Sequence, residues 1–375
     1  MSKKIVVGLI IIALIVIIIA DFRINGVDVF NDFARQLETE SLRKLQMGQI
    51  DFEYNAESAN IQVDDRVITI DDNIDSLFIR NPFGDVIITG ENRDDIVLSY
   101  KITVYAEEFE VAESLVEKLE IKSVRQGDRI NFDMDAVEVS EGVYGIKRDY
   151  NLLVPEDLYL EIINNNGNME ISDMISDVSL VDYKKEMKVK NINGSVEISK
   201  RQGSAIIEKV GELNMDSAYN KVSINHVNGD LDLDQAYGQA DVSSVDGNAE
   251  IKAAYSSVEV EKISGYLELE ARYTQVKGDE IAGEFTGRIS YGQLDLANVV
   301  NHVDVSARYT GISVAMSELL NDYQIYCEAD NGNINTNLDL SVKKEDNRSI
   351  MEGRTGTGST NINVISNYAD VNVYQ

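Results

Sequence analysis

Several residue types are rare or missing in this chain, and each absence excludes something. There is no tryptophan, and there are only two prolines, two histidines and one cysteine, Cys327. With a single cysteine, no disulfide can form within the chain. The two histidines occupy unmatched positions and have no cluster of further ligands around them, so they do not indicate a metal site. The near absence of proline, beside many glycines and tyrosines, suits a chain of regular strands and turns.

Basic residues are also scarce. Lysine and arginine together number 34 against 65 aspartates and glutamates, which gives a net charge of −31. Nucleic-acid phosphates would be repelled, so we predict no nucleic-acid partner. The same balance suits a solvated exterior surface, or one that attracts cations or basic partners. No phosphate-binding loop, nucleophile motif or convergent acid–base set is present, so we predict no enzymatic activity and no cofactor.

The middle of the chain has a fixed period of 18 residues. A tyrosine marks each period: Tyr219, Tyr237, Tyr255, Tyr273, Tyr291 and Tyr309. Glycines keep the same period half a repeat out of phase: Gly211, Gly229, Gly247, Gly265 and Gly283. A constant period of this length is typical of stacked-repeat architectures.

Within one period, apolar residues fall in two alternating pairs, Val222 with Ile224 and Leu231 with Leu233. Alternation places both members of a pair on one face of a strand. Each coil therefore holds two short strands, and stacked coils give two parallel sheets around one core. Because parallel crossovers prefer the right hand, we predict an all-β, right-handed parallel β-solenoid with 18-residue coils. We expect the repeated glycines to supply positive φ angles at the corners.

Two other types of solenoid match this sequence less well. A left-handed hexapeptide helix also repeats every 18 residues, but it requires an apolar residue at every sixth position. Here the apolar spacings run 2, 3 and 4. A calcium-binding nonapeptide roll needs a Gly-Gly-x-Gly-x-Asp turn, and these turns lack it.

The predicted organisation has five parts. They are a cytoplasmic tail (1–4), a transmembrane signal anchor (5–20), a juxtamembrane helical tether (21–50), a strand-rich N-terminal α+β cap with one helix (51–160) and the β-solenoid (161–375). The helix of the cap is expected at about 107–119, with Phe109, Ala112, Leu115, Val116 and Leu119 on one face. Residues 343–360 are expected to form a surface loop before the last two strands.

Residues 5–20 carry no charge and follow Lys3 and Lys4. This pattern predicts one N-terminal transmembrane helix, with everything after Asp21 outside the cytoplasm. A cleaved signal peptide is the alternative, but Ile18 does not suit a cleavage site at Ala20. The localisation is therefore predicted as single-pass in the cell membrane. In 21–50, apolar residues at near-helical spacing predict a helix that packs on the next domain or pairs with a second copy.

Five segments resemble a known bacterial family. They are IRNPFGDVIITG (79–90), LLVPEDLYLEIINNNGNMEIS (152–172), the VNGDLDL and VDGNAEI turns, and TGTGSTNINVISNYADVNV (355–373). Together they resemble the membrane-anchored "putative adhesin" family, a domain of unknown function, over residues 75–375. The resemblance implies a β-solenoid behind one membrane segment, with no catalytic residues to carry over. Tyr368 and Ala369 depart from it where the family often has glycine. Bactofilins resemble the chain less, because they are short and lack a cap.

The repeat also predicts two candidate binding surfaces. Outward carboxylates recur at Asp232, Glu250, Glu268 and Asp304, and they form either a solvated face or a weak divalent-cation site. The six tyrosines form either a ladder that fixes the register or an aromatic strip for the sugar rings of a wall polymer. Cys327 lies 18 residues after Tyr309, so we expect it to take the next tyrosine position as a packing residue.

Three functions follow from these features. The first is a non-enzymatic, adhesin-like or scaffolding surface protein whose partner is a cell-wall polymer. The second is an extracytoplasmic accessory or sensor subunit of an envelope-stress system, which docks on a membrane protein. The third is a carbohydrate-active β-helix enzyme, and the lack of a convergent acid–base set argues against it.

Overall fold

The computed structural model describes residues 56–71, 73–134 and 141–375. Within these ranges the chain is all-β apart from one helix, α1 (Phe109–Val116). The strands form a 15-stranded sheet (sheet A) and a 16-stranded sheet (sheet B). The predicted anchor (5–20) and tether (21–50) lie outside the described residues. Among the residues described, no helix is both long enough and apolar enough to cross a membrane.

Successive strands alternate between the two sheets. In sheet B these are β2 (Ser76–Asn81), β8 (Tyr159–Asn164), β10 (Val178–Asp182), β12 (Val196–Lys200), β14 (Leu213–Ala218), β16 (Leu231–Ala236), β18 (Ala249–Ala254), β20 (Leu267–Arg272), β22 (Phe285–Ser290) and β24 (Val303–Arg308). In sheet A they are β3 (Val86–Glu91), β9 (Met169–Met174), β11 (Glu186–Ile192), β13 (Gly203–Val210), β15 (Asn220–Val227), β17 (Gln239–Val245), β19 (Ser257–Ile263), β21 (Gln275–Ile281), β23 (Gln293–Val299) and β25 (Gly311–Met316).

Each of these strands pairs in parallel with the corresponding strand of the next coil. The two predicted parallel sheets are therefore confirmed, while the right-handed winding stays a prediction. Regular stacking already includes β2 and β3, before residue 161, so the NPFG turn at 81–84 is a true coil corner.

The core lies between the sheets and runs continuously along the stack. In one coil, Val222 and Ile224 point inward from sheet A, and Leu231 and Leu233 point inward from sheet B. All four are at most 2% exposed. Burial of each such side chain contributes about 1.5–3 kcal/mol relative to exposure, so the aliphatic pairs supply the main driving force for stacking.

An N-terminal cap covers the first coil. Beyond β3, sheet A continues with β7 (Val143–Pro155), β4 (Asp95–Ala106) and β1 (Glu57–Thr69), the last two pairings antiparallel. Beyond β2, sheet B continues with β6 (Arg129–Met134) and β5 (Ile121–Gln126). Helix α1 packs on β1 and β4 and buries Ala112, Leu115 and Val116. The helix is shorter than predicted, and Phe109, expected on its buried face, is 43% exposed.

The C-terminal end breaks the order of the chain. Its strands are β26 (Tyr323–Asp330), β27 (Ile334–Thr336), β28 (Val342–Glu345), β29 (Arg348–Arg354), β30 (Thr360–Asn367) and β31 (Val371–Tyr374). In space, β30 lies between β24 and β26, and β31 lies between β25 and β27. The coil that follows β24 and β25 in space is therefore formed by β30 and β31, and the coil after that by β26 and β27, which come earlier in the chain.

The surface loop predicted at 343–360 is wrong. Strands β28 and β29 form an antiparallel hairpin that pairs with the outer edge of β26. Met351 points inward and is fully buried opposite Cys327. Lys343, Lys344 and Glu345 lie on β28, the outermost strand, where charge protects a sheet edge from pairing with another chain.

The repeated glycines do not supply positive φ angles, contrary to our expectation. Among Gly211, Gly229, Gly247, Gly265 and Gly283, none has a positive φ. They allow close approach instead, because a Cβ on Gly247 would lie 2.5 Å from the carbonyl oxygen of Gly229. At this corner the positive φ belongs to residues two or three positions earlier, such as His226, Ser244 and Lys262.

Candidate binding surfaces

The predicted tyrosines form one continuous stack, here called the tyrosine ladder: Tyr219, Tyr237, Tyr255, Tyr273, Tyr291, Tyr309 and Tyr368. Neighbouring ring centroids lie 4.8–5.1 Å apart, and the ring planes differ by 3–18°. The ring spacing follows the strand spacing, because each tyrosine occupies the same corner of its coil.

Every tyrosine of the ladder adopts a left-handed backbone conformation, with φ between 51° and 63°. A bulky residue rarely takes this conformation, since its Cβ crowds the backbone. The backbone N–H of each tyrosine except Tyr368 donates to the carbonyl of the residue before the next tyrosine in the stack, as Tyr255 does to the Arg272 carbonyl at 2.9 Å. Stacking, at about 0.5–1.5 kcal/mol per pair, offsets the strain.

The position after Tyr309 belongs to Tyr368, not to Cys327 as the sequence predicted. The rings of Tyr309 and Tyr368 stack at 4.8 Å. Strand β30 separates β24 from β26, so a residue 18 positions beyond Tyr309 lies two coils away. Cys327 points into the core and is fully buried, and burial raises the pKa of its thiol to about 12. The packing role expected for it is thus what the structure shows.

Stacking determines what the ladder offers to a ligand. Inner ring faces lie against one another, and the outward parts are ring edges and hydroxyls. Six of the seven tyrosines are nonetheless well exposed, from 40% at Tyr309 to 56% at Tyr219, and Tyr237 is partly buried. The Arg272 and Arg308 guanidinium groups lie 5.6 and 5.2 Å from the rings of Tyr273 and Tyr309. A sugar on this strip would meet ring edges except at the two ends of the ladder.

The predicted carboxylates also share one line on the outer face of sheet B. Asp232 pairs in register with Glu250, and Glu250 with Glu268; Thr286 separates Glu268 from Asp304. Three of the four have a partner: Glu250 contacts Lys252 at 2.7 Å, Glu268 contacts Arg288 at 3.1 Å, and Asp304 accepts from the Asn363 amide at 2.9 Å. Among the described residues, no group of three or more acidic, histidine or cysteine side chains is arranged to hold a metal ion.

A groove runs along this same face, beside the corner that precedes each sheet-B strand. Its volume is about 530 Å³. Tyr159 lies at one end and Tyr266 at the other, 36% and 49% exposed. Six acidic residues line it: Asp177, Glu197, Glu212, Asp230, Asp232 and Glu250. We call this feature the acidic groove.

Only two residues of the acidic groove, Asp232 and Glu250, belong to the line of carboxylates that the sequence predicts. The signal for the others was present in the same repeat. Backbone hydrogen bonds link Leu213 to Asp230, Leu231 to Asn248 and Ala249 to Tyr266, so the residues before each strand also form a line. That line mixes acidic, amide and aromatic residues, so no single residue type marks it in the sequence. These residues are recognised as one line only when the register between the coils is known.

Two of the acidic residues hold the groove wall in place. The Asp177 carboxylate accepts from the Ser195 backbone N–H, and that of Asp230 from the Asn248 N–H, each at 2.7 Å. Both therefore tie one coil to the next. Glu197, Glu212 and Asp232 are exposed and make no ion pair with a described residue.

A buried ion pair lies on the inner side of sheet B. Lys200 Nζ is 2.6 Å from Asp182 Oδ2, and neither side chain is exposed. Desolvation raises the pKa of Asp182 to about 6, and the Lys200 ammonium opposes that rise. Lys200 also donates to the Lys185 carbonyl at 3.1 Å. The pair is enclosed, so we assign it to the packing of two adjacent coils and not to a binding site.

The sequence matches no protein-family model and no curated protein. Among solved structures, a putative cell adhesion protein from Clostridium sporogenes is similar at 12% identity and a TM-score of 0.18, covering 85% of this chain and 99% of that one. Two putative adhesins are also similar. The Parabacteroides merdae protein is 12% identical with a TM-score of 0.37, and the match covers 68% of this chain and 95% of that one. The Parabacteroides distasonis protein is 10% identical with a TM-score of 0.41, and the match covers 69% of this chain and 97% of that one.

These neighbours carry the same description as the family that the sequence resembles. These three solved structures are thus bacterial proteins described as putative adhesins or as a putative cell adhesion protein.

Proposed function

We propose that this protein is a non-enzymatic, adhesin-like or scaffolding protein of the cell surface, held at the membrane by residues 5–20. One observation supports the scaffold role: the outward positions of both sheets repeat in register over the whole stack. Without the cap strands, each sheet contains twelve parallel coil strands, which extend roughly 50 Å at about 4.8 Å per strand. Such a stack presents long exposed faces whose side chains keep fixed spacings, which suits binding to an extended partner.

The surface location is supported by the sequence. The uncharged segment 5–20 follows two lysines, the arrangement of a signal anchor whose C-terminal part is exported. The net charge of −31 fits an exterior, solvated protein. Three similar solved structures are described as putative adhesins or as a putative cell adhesion protein, which agrees with this proposal.

Protease treatment of intact cells tests the location. We expect trypsin added outside to degrade the region recognised by an antibody against residues 161–375, while a cytoplasmic marker protein stays intact. Protection of this region until the cells are lysed would contradict the proposal.

Crosslinking on intact cells distinguishes an adhesin from an accessory subunit. Adducts with a wall polymer would favour adhesion, and an adduct with a single membrane protein would favour an accessory subunit.

A further inference from the structure

We propose that the acidic groove binds an extended, basic segment of polypeptide from a partner protein. The proposal deepens the proposed surface role by naming the chemistry of the partner. It rests on the groove's shape, the residues at its two ends and the distribution of its charge along the stack.

The shape of the groove fits an extended chain. It begins at Tyr159, the first residue of β8, and ends at Tyr266, just before β20, six strand spacings away. At about 4.8 Å per spacing this is roughly 29 Å, the length of about nine extended residues. A volume of about 530 Å³ spread over this length is narrow, so it suits a single strand better than a folded surface.

Most of the charge of the groove is uncompensated, unlike that of the same face farther along: of its six carboxylates, only Glu250 contacts a described lysine or arginine, Lys252. Beyond the groove, Arg288 contacts both Glu268 and Glu270. Among the groove-lining residues that the structure describes, none is lysine, arginine or histidine. Because Glu197, Glu212 and Asp232 lie on different coils, their charge is distributed along the axis. A polycation with several spaced charges complements it better than one ion.

A single divalent cation does not fit this arrangement. Calcium takes six to eight oxygen ligands at about 2.3–2.6 Å, and the groove carboxylates project from separate coils. The described residues provide no cluster of three such side chains. Exposed tyrosine rings lie at the two ends of the groove. An arginine guanidinium stacks favourably on a tyrosine face, whereas a divalent cation bound by carboxylates would not contact these rings.

The binding test uses the full chain, purified in detergent micelles, and a fluorescent nine-residue peptide that alternates arginine and serine. We expect binding, measured by fluorescence anisotropy, that weakens between about 20 and about 150 mM salt. The variant E197Q/E212Q/D232N should weaken it about tenfold, since three carboxylates no longer attract the peptide. These substitutions leave Asp177 and Asp230, which hold the wall, unchanged.

The matched control is D241N/E259Q/D295N, which removes the same charge from outward positions of sheet A. We expect it to change affinity by no more than about twofold. Equal losses in the two variants would show attraction by net charge alone and would overturn the proposal, as would no binding to the unmodified protein at low salt. Circular dichroism checks that each variant is folded.

Substitution of an end residue gives a second test. Tyr266→Ala should weaken the arginine peptide about threefold and a matched lysine peptide less, since guanidinium stacks better than ammonium. An equal effect on both peptides would contradict the stacking contact. Because the assay uses purified protein, it succeeds or fails independently of where the protein lies in the cell.

Discussion

At the scale of single residues, the corners of the coils determine how closely the coils can stack. One corner holds a line of glycines that hydrogen-bond directly to one another, as Gly247 N–H does to the Gly229 carbonyl at 3.1 Å. The opposite corner holds tyrosines in a strained backbone conformation. Close stacking of the coils thus requires residues without a side chain at the glycine corner, whereas large aromatic side chains stack at the tyrosine corner.

Gly247→Ala should be strongly destabilising. The added Cβ would lie 2.4 Å from Asp230 Oδ1 and 2.5 Å from the Gly229 carbonyl oxygen, and backbone cannot move aside. We expect a loss of about 3 kcal/mol in the free energy of unfolding, from urea titration followed by circular dichroism. Gly311→Ala is the control, because its Cβ would meet nothing within 4 Å. Similar losses at both sites would contradict the close-approach explanation.

The tyrosine ladder makes a graded prediction. Tyr273 stacks on two neighbours, Tyr255 and Tyr291, whereas Tyr219 begins the ladder and stacks only on Tyr237. Both have positive φ, so replacement by alanine leaves the same strain. Tyr273→Ala should therefore cost about 2 kcal/mol and Tyr219→Ala about 1 kcal/mol in thermal or urea unfolding. A larger loss at Tyr219 would show that stacking does not dominate.

Part of the structure can be predicted from the sequence. The 18-residue period was enough to predict the stacked tyrosines and the line of carboxylates, because each coil places a given position above the last. The glycine φ angles could not be predicted the same way, since Asn-Gly pairs suit both a turn and a close contact. Alternation along β12 places Lys200 inward after Val196 and Ile198, but the carboxylate that balances its charge, Asp182, is identified only by the register between coils.

At the scale of secondary-structure elements, the strands at the C-terminal end show where chain order and spatial order differ. The period predicts sequential coils, and they are sequential up to β25. The later strand β30 then fills a position between two earlier ones. Nothing in the local pattern of 360–374 indicates this, because an inserted strand has the same alternation as any other. Only the loss of the 18-residue spacing after Tyr309 indicates a change.

Val364→Asp tests the inserted strand. Val364 is fully buried on β30, in register with Val305 of β24 on one side and Cys327 of β26 on the other. An unpaired buried carboxylate there should increase amide hydrogen exchange in both β24 and β26, while β14 keeps its protection. Asn361→Asp, at an exposed position of the same strand, is the control. Faster exchange confined to β29 and β31 would contradict the observed strand order.

At the scale of the whole molecule, net charge opposes a compact stack. Outward carboxylates recur about every 4.8 Å along sheet B, and only some of them meet a lysine or arginine. Repulsion between such rows is long-ranged in dilute salt and screened within about 10 Å at 0.1 M. The thermal midpoint of unfolding should therefore depend on salt, because charge repulsion lowers the stability that burial of the core provides.

We expect the thermal midpoint to rise by several degrees between about 10 and about 300 mM sodium chloride, because screening removes repulsion that a chain of charge −31 carries. Calcium chloride at matched ionic strength should add little, since the described residues contain no cluster of three metal-binding side chains. Millimolar calcium that raised the midpoint well beyond the matched sodium series would establish the cation site considered for Asp232, Glu250, Glu268 and Asp304. A variant with E268Q and D304N would then locate it, because those two carboxylates lie outside the acidic groove and their loss leaves the peptide surface intact.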